Sequence, residues 1–266
     1  NHHNLMDNTI NYLIFSLYIL SALSIWRVML PGRKSSFFKF SVWFFWLMAI
    51  FGHFYILYPI FSNNSVNLSL DYALLIVAFI ISVTLYFSSI FSNTKFLGLI
   101  ILPLVSLVFL FDFVKNPVNV TINNFLFIHI VISLISYSIL CLSAAQSLIL
   151  KIQEKRLQAN QPIGLIAELP SLDAMDKLLF KLLALGIIFL SASLLSGFIF
   201  LDDIFAQNLA HKTILSILAW IIFVFLIYAR KSYGWRGSKA ANINLIGFFI
   251  LFLSYFGTKT VLEIIL

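Results

Sequence analysis

Residues 125–150 read FLFIHIVISLISYSILCLSAAQSLIL. None of these 26 residues is Asp, Glu, Lys or Arg, and the run is longer than the about 20 apolar residues a helix needs to cross a bilayer. Its apolar residues are continuous. A transmembrane barrel would instead show ~10-residue alternating segments. Seven further runs have the same character: 9–30, 40–61, 72–91, 96–113, 178–201, 213–229 and 243–262. The 96–113 run is short and holds Pro103, which is tolerated where neighbours satisfy the freed carbonyl. The first run is too long for a signal-peptide core, and no A-x-A-like site follows it. The expected fold is all-α: a polytopic integral membrane protein with eight transmembrane helices, forming a single transmembrane domain over residues 1–266.

Composition agrees. Hydrophobic residues make up 61% of the chain, charged residues only 10%, and mean hydropathy is +1.02. A soluble domain carries about 25% charged residues. An ordinary soluble enzyme, a disordered chain and a collagen are excluded, and a single cysteine, Cys141, excludes an intramolecular disulfide. The net charge of +7 would suggest nucleic acid in a soluble protein, but here its placement accounts for it. The connections after the odd-numbered spans, with Arg27, hold fourteen of the seventeen basic residues; the other side has only Lys115, Lys212 and Lys259. This positive-inside split places both termini outside and predicts lipid contact, helped by anionic headgroups, rather than a nucleic-acid partner. The longest connection, 151–177, is then cytoplasmic, and within it Leu169-Pro170-Ser171-Leu172-Asp173 reads as a helix start.

An ionisable side chain within hydrocarbon is a functional hypothesis by default. His53 lies about eight residues from the outer end of the second span, or ~12 Å deep. His129 lies about five residues inside the fifth, or ~7 Å deep, and His211 just precedes the seventh. Helical spacing puts His129, Ser133, Ser136 and Leu140 on one face, and Trp46 and His53 on another. Such a polar stripe turns toward other helices or a cavity. A neutral imidazole there either hydrogen-bonds a neighbouring helix or ligates a metal, and two from opposite helices can hold a haem iron. Ser193, Gly197, Asn244 and Gly247 read as close-packing positions; Trp43, Trp46 and Trp235 read as interface anchors. Asp202-Asp203 suits either a helix cap or a cation. There is no Walker A loop, GxSxG, HExxH or GxGxxG, so no hydrolytic, phosphoryl-transfer or nucleotide-binding activity is indicated.

The stretch His211-Lys212-Thr213, Ala219-Trp220, Tyr228-Ala229-Arg230, Gly234-Trp235-Arg236-Gly237, Gly247-Phe248 and Tyr255-Phe256-Gly257 resembles the cytochrome c assembly membrane-protein family. His129 with Ser136-Tyr137, Leu169 to Asp173, and Ser196-Gly197 fit the same pattern. The resemblance covers about residues 125–260. That family takes in CcsA-type synthase subunits, CcmC-type haem exporters and HemX-like proteins. The chain looks most like its short, YpjD-like inner-membrane branch.

The resemblance implies a bacterial inner-membrane protein that handles haem in its outer half. Its partners would be haem and other membrane or cytochrome-maturation proteins. The family's first external haem-ligand histidine maps onto His129; the second would map near Leu266, where the sequence given ends. His53 and His211 are the candidates for a second ligand, and His129 with His53 for the iron. The family's tryptophan-rich external segment matches residues 198–211, which contain Phe200 and Phe205 but no tryptophan, and His211 stands where the family has an aspartate. Lys212 and Lys115 are cations suited to the propionates. Thioether formation needs cysteine thiols of an apocytochrome, so the chain itself is expected not to be an enzyme. The rival expectation is a haem-free membrane scaffold that binds a partner membrane protein. A solute transporter is a weaker third, because paired broken helices are not evident.

Overall fold

The computed structural model describes residues 2–30, 36–62, 65–67, 70–91, 94–110, 119–121, 124–159, 168–200 and 210–254. Eight α-helices occur among them. Six are long and apolar enough to cross a membrane, and two are shorter. Where the sequence suggests one transmembrane domain, the contacts divide the chain into two compact units, Asn1–Thr121 with Gln161–Pro170, and Ile122–Asn160 with Ser171–Leu266.

The first unit contains α1 (His2–Met29), α2 (Ser36–Ser62), α3 (Leu70–Phe91) and α4 (Gly98–Leu107). Helix α1 packs on α2 and α4, and α3 packs on both of these as well. Helix α4 holds Pro103, has only ten residues and is flanked by 3-10 turns, Lys95–Leu97 and Val108–Leu110. The helical run Lys95–Leu110 is therefore short of the about 20 residues of a straight crossing. Two three-residue strands, β1 (Ser65–Asn67) and β2 (Asn119–Thr121), pair antiparallel with Ser65 opposite Thr121. They follow α2 and α4, so α3 and the α4 segment together return the chain to the level it left.

The second unit contains α5 (Asn124–Gln158), α6 (Leu172–Phe200), α7 (Ala210–Tyr233) and α8 (Gly237–Phe252). Helix α5 continues eight residues beyond the expected end at Leu150, so Lys151–Gln158 is helix rather than loop. The stretch before α6 behaves as its sequence suggests. The hydroxyl of Ser171 accepts from the Ala174 N–H at 3.4 Å, and Asp173 pairs with Lys177 at 2.6 Å one turn on.

The four helices alternate in direction, as their ends show. Near the end of α5, Glu154 accepts from both the Ser238 N–H and the Ser238 hydroxyl, each at 2.6 Å, at the start of α8. Near the start of α6, Asp176 is buried and accepts from Arg230 at the end of α7 and from the Gly237 N–H at 2.9 Å. Arg230 also lies over the Phe180 ring, 3.8 Å from its centre. The turn between α7 and α8 is Gly234-Trp235-Arg236-Gly237. Gly234 (φ 65°) and Gly237 (φ 62°) both adopt the left-handed conformation. The Gly234 N–H returns to the Arg230 carbonyl at 3.1 Å, the usual αL stop for a helix. A Cβ on Gly237 would lie 3.0 Å from a Glu154 carboxylate oxygen.

Deeper in the unit, Asn244 donates to Ser143 and Ser147 at 2.9 Å each, tying α8 to α5. Gly247 leaves room for the Phe223 ring, where a Cβ would come within 2.6 Å. Both positions are close-packing sites, as expected. In the first unit Trp46 is fully buried and donates to Ser82 at 3.0 Å, so it is a core residue and not an interface anchor.

Removing one partner of a buried charged pair leaves the other without compensation. Asp176→Ala is expected to destabilise the second unit by about 3 kcal/mol, seen as a lowered thermal midpoint in detergent. Asp173→Ala, at an exposed pair, leaves the midpoint where it was.

Candidate functional site

A hollow of about 80 Å³ opens between the starts of α5 and α7 and the end of α6. Its polar lining comes from His129, Ser133 and Tyr137 of α5, Ser193 of α6, and Lys212 and Ser216 of α7. On α5, His129 and Glu154 are 25 residues apart, so this end of the bundle lies about 37 Å along the helix from the carboxylate clamp.

Hydrogen bonds fix the chemical state of His129. The Ser196 hydroxyl donates to the Ser193 carbonyl at 2.9 Å. A serine has one hydroxyl proton, so toward His129 Nδ1, 2.8 Å away, Ser196 Oγ acts as acceptor. This arrangement favours the tautomer with the proton on Nδ1. The Ser133 hydroxyl donates to the His129 carbonyl at 2.7 Å, so the proton between Ser133 and Ser193, 2.6 Å apart, belongs to Ser193. The result is a closed circuit between α5 and α6 that begins at the imidazole of His129 and returns to its backbone. Gly197 completes the seat. A Cβ there would come within 3.2 Å of His129 Cε1, so glycine lets the Cε1 edge of the ring approach α6. Below, Ser136 donates to the Gly186 carbonyl at 3.1 Å, and Leu140 fills the space over Gly186. The His129, Ser133, Ser136 and Leu140 face is thus turned wholly onto α6.

On the α7 side, Ser216 and Ser254 are 2.7 Å apart, and Ser254 donates to the Lys212 carbonyl at 2.8 Å. Trp220 donates to Ser191 at 2.8 Å and ties α7 to α6. This brings Lys212, the cation expected for an acidic ligand group, into the same hollow as His129.

His53 is in a different state. It belongs to the first unit and is fully buried. Its Nε2 lies 3.1 Å from the Leu75 carbonyl and so donates. Its Nδ1, 3.1 Å from Tyr18 Oη, then accepts the phenol proton. Phe109 and Phe79 meet the ring edge-on at 4.8 and 5.3 Å. With both nitrogens engaged, this imidazole has no lone pair left for a metal. Of the two alternatives open for it in the sequence, the geometry matches the hydrogen-bonded one. His211 falls in the first turn of α7, and its side chain lies outside the described residues, as do Lys115, Asp202, Asp203 and Phe205. Among the described residues no group of three or more His, Cys, Asp or Glu is gathered for a metal ion.

Sequence reading missed two features. Ser193 and Gly197 read as packing positions, yet with Ser196 they orient the histidine. Glu154 and Asp176 passed without a role as receptors of the α7–α8 turn. The available signal was their acidity on a face that is otherwise basic.

The molecule is thus a multi-pass helical membrane protein with a histidine-bearing polar hollow at one end of a four-helix unit. The chain matches the family described as "Cytochrome C assembly protein" over residues 40–266 and belongs to that family. It is 30% identical over 138 residues to "Inner membrane protein YpjD" of Escherichia coli (strain K12), covering 52% of each chain. It is also 26% identical over 143 residues to "Cytochrome c biogenesis protein CcsA" of Chlamydomonas reinhardtii, covering 53% of this chain and 39% of that one. The CcsA of Heterosigma akashiwo (strain NIES-293 / 8280G21-1) is 22% identical over 210 residues, covering 63% and 65%. The chain spans about half the length of the first curated relatives it matches, 52% for YpjD. No solved structure matches it.

Nitrogen NMR of histidine-labelled protein tests the tautomer. At neutral pH, His129 is expected to show a protonated Nδ1 and a bare Nε2. Ser196→Ala removes the acceptor and mixes the two forms. A predominantly Nε2-protonated ring in the unaltered protein would contradict the hydrogen-bond circuit.

Proposed function

We propose that the protein is a non-enzymatic cytochrome c assembly factor of the inner membrane, and that it contacts haem at the hollow of its second unit. The single observation that carries this reading is the placing of His129 in the hollow beside Lys212, with its Nδ1 2.8 Å from the Ser196 hydroxyl, a partner of the kind that orients an iron ligand. The basic connections then face the cytoplasm and the hollow faces outward. The family and the name of the similar YpjD support an inner-membrane location.

The donor set fits haem in part. A neutral imidazole suits the iron, and Lys212 suits a propionate. The volume does not fit: about 80 Å³ is well below the about 300–1,000 Å³ of a pocket that encloses a drug-sized ligand. His129 would supply one nitrogen to the iron, while the hollow does not enclose a porphyrin. When bound, haem supplies redox and ligand chemistry at iron. The chain's own part is to hold the imidazole in one tautomer, keep Lys212 beside it and seat the ring against Gly197. His53 serves the first unit by packing, and a second nitrogen for the iron would come from His211 or from a partner.

The small hollow also favours a second reading, a haem-free scaffold that binds a partner membrane protein and keeps the family fold. Haem titration of the purified protein, followed in the visible spectrum, separates the two. The haem reading expects a sharp Soret band, lost in His129→Ala. Ser196→Ala should weaken haem affinity about 10–100-fold, the usual cost of removing a group that orients a metal ligand. His53→Gln should retain the band in whatever fraction remains folded. No band in the folded, unaltered protein would leave the scaffold.

A further inference from the structure

We infer that the first unit carries a binding site for the phosphodiester headgroup of an anionic phospholipid, formed by Lys39 and Lys95. The two lysines come from different elements. Lys39 stands in the first turns of α2, and Lys95 opens the 3-10 turn before α4. Both line one hollow of about 90 Å³, whose other walls include Ile25 and Val28 of α1 and Val42 and Trp43 of α2.

Their placement is built in. Thr94, which precedes Lys95, is buried, donates to the Ser88 hydroxyl at 3.1 Å and lies 3.2 Å from Ser89 Oγ. Its carbonyl receives the Leu97 N–H at 3.0 Å. The turn that carries Lys95 is thereby pinned to the end of α3. On the other side, Ser21 donates to the Val42 carbonyl at 3.1 Å, and Ser41 to the Ser24 hydroxyl at 3.1 Å. These bonds fix α2 against α1 where Lys39 stands. Among the described residues neither lysine meets a carboxylate, since the ion pairs found there are Asp173–Lys177 and Asp176–Arg230.

Two lysines lining one largely apolar hollow, neither paired with a carboxylate among the described residues, call for an anion with an apolar body. The hollow lies on the basic side of the chain, where the cytoplasmic leaflet supplies anionic phospholipid. Phosphate matches the two cations, and the acyl chains match the Ile25, Val28 and Val42 wall. Trp43 is the aromatic residue expected at headgroup level.

The test is native mass spectrometry of the full chain, released from nanodiscs of phosphatidylcholine containing one-fifth phosphatidylglycerol. One retained phosphatidylglycerol is expected, in preference to phosphatidylcholine. Lys39→Gln with Lys95→Gln should weaken retention about 30-fold, from the loss of two lysine–phosphate attractions. Lys39→Arg with Lys95→Arg should keep it, and so should Lys181→Gln, on the same basic side but outside the hollow. For a readout that needs no variant, phosphatidylglycerol added to delipidated protein should raise the thermal midpoint, and about 0.5 M salt should reduce the effect. Equal retention of phosphatidylcholine, undiminished retention in the double glutamine variant, or equal protection by inorganic phosphate alone would overturn the assignment.

Discussion

Within hydrocarbon a hydroxyl, an amide or an imidazole has no water to turn to, so each must find its partner on a neighbouring helix. That constraint organises both units. In the first, Trp46 reaches Ser82 and His53 bridges Tyr18 to the Leu75 carbonyl, so α2 is tied to α1 and α3 at buried points. In the second, Ser133 of α5 meets Ser193 of α6, Ser136 reaches the Gly186 carbonyl, and Asn244 ties α8 to α5 through Ser143 and Ser147. Apolar contact between membrane helices gives little preference for one register over another, since lipid is as apolar as leucine. Each hydrogen bond is satisfied in only one register.

The same constraint gives the two described histidines opposite meanings. Both lie on polar faces of apolar helices, yet the decision is made by where single protons go. For His53, a carbonyl takes the proton of one nitrogen and a phenol gives its proton to the other. For His129, the serine at Nδ1 has already committed its proton to a backbone carbonyl, so it can only accept. That arrangement favours a proton on Nδ1 in a ring beside a lysine, in a small hollow. An inert core residue and a ligand candidate therefore differ by the orientation of hydroxyls that belong to other helices.

That difference is not legible in the sequence. Helical spacing placed His129, Ser133, Ser136 and Leu140 on one face, and the structure puts that face on α6. The same reasoning placed Trp46 and His53 together, and both are buried. What spacing cannot give is the identity of the facing atoms. Tyr18 and Leu75 lie 35 and 22 residues from His53, and Ser196 lies 67 from His129. The long apolar runs, the helix start near Ser171 and the close packing at Gly247 could be read because each follows from local composition. The extension of α5 to Gln158 could not be read, because that stretch is polar and largely exposed and carries no apolar signal. Trp46 was misread for a different reason. Its position near a helix end suggested the headgroup region, whereas Ser82 across the interface drew its N–H inward.

The most diagnostic stretch of the family resemblance, Gly234-Trp235-Arg236-Gly237, turns out to be a device of the fold. Its two glycines take left-handed backbone conformations, and the carboxylates of Glu154 and Asp176 close on it from α5 and α6. A residue there that cannot adopt positive φ, or whose Cβ meets Glu154, would misplace the start of α8 and with it the Asn244 contact. In this chain the stretch therefore serves the architecture. His129 sits about 37 Å away along α5, toward the end where this chain lacks the tryptophans of the family's external segment. The frame-setting turn and the histidine hollow thus stand at opposite ends of the four-helix unit, and a change at one leaves the lining of the other in place.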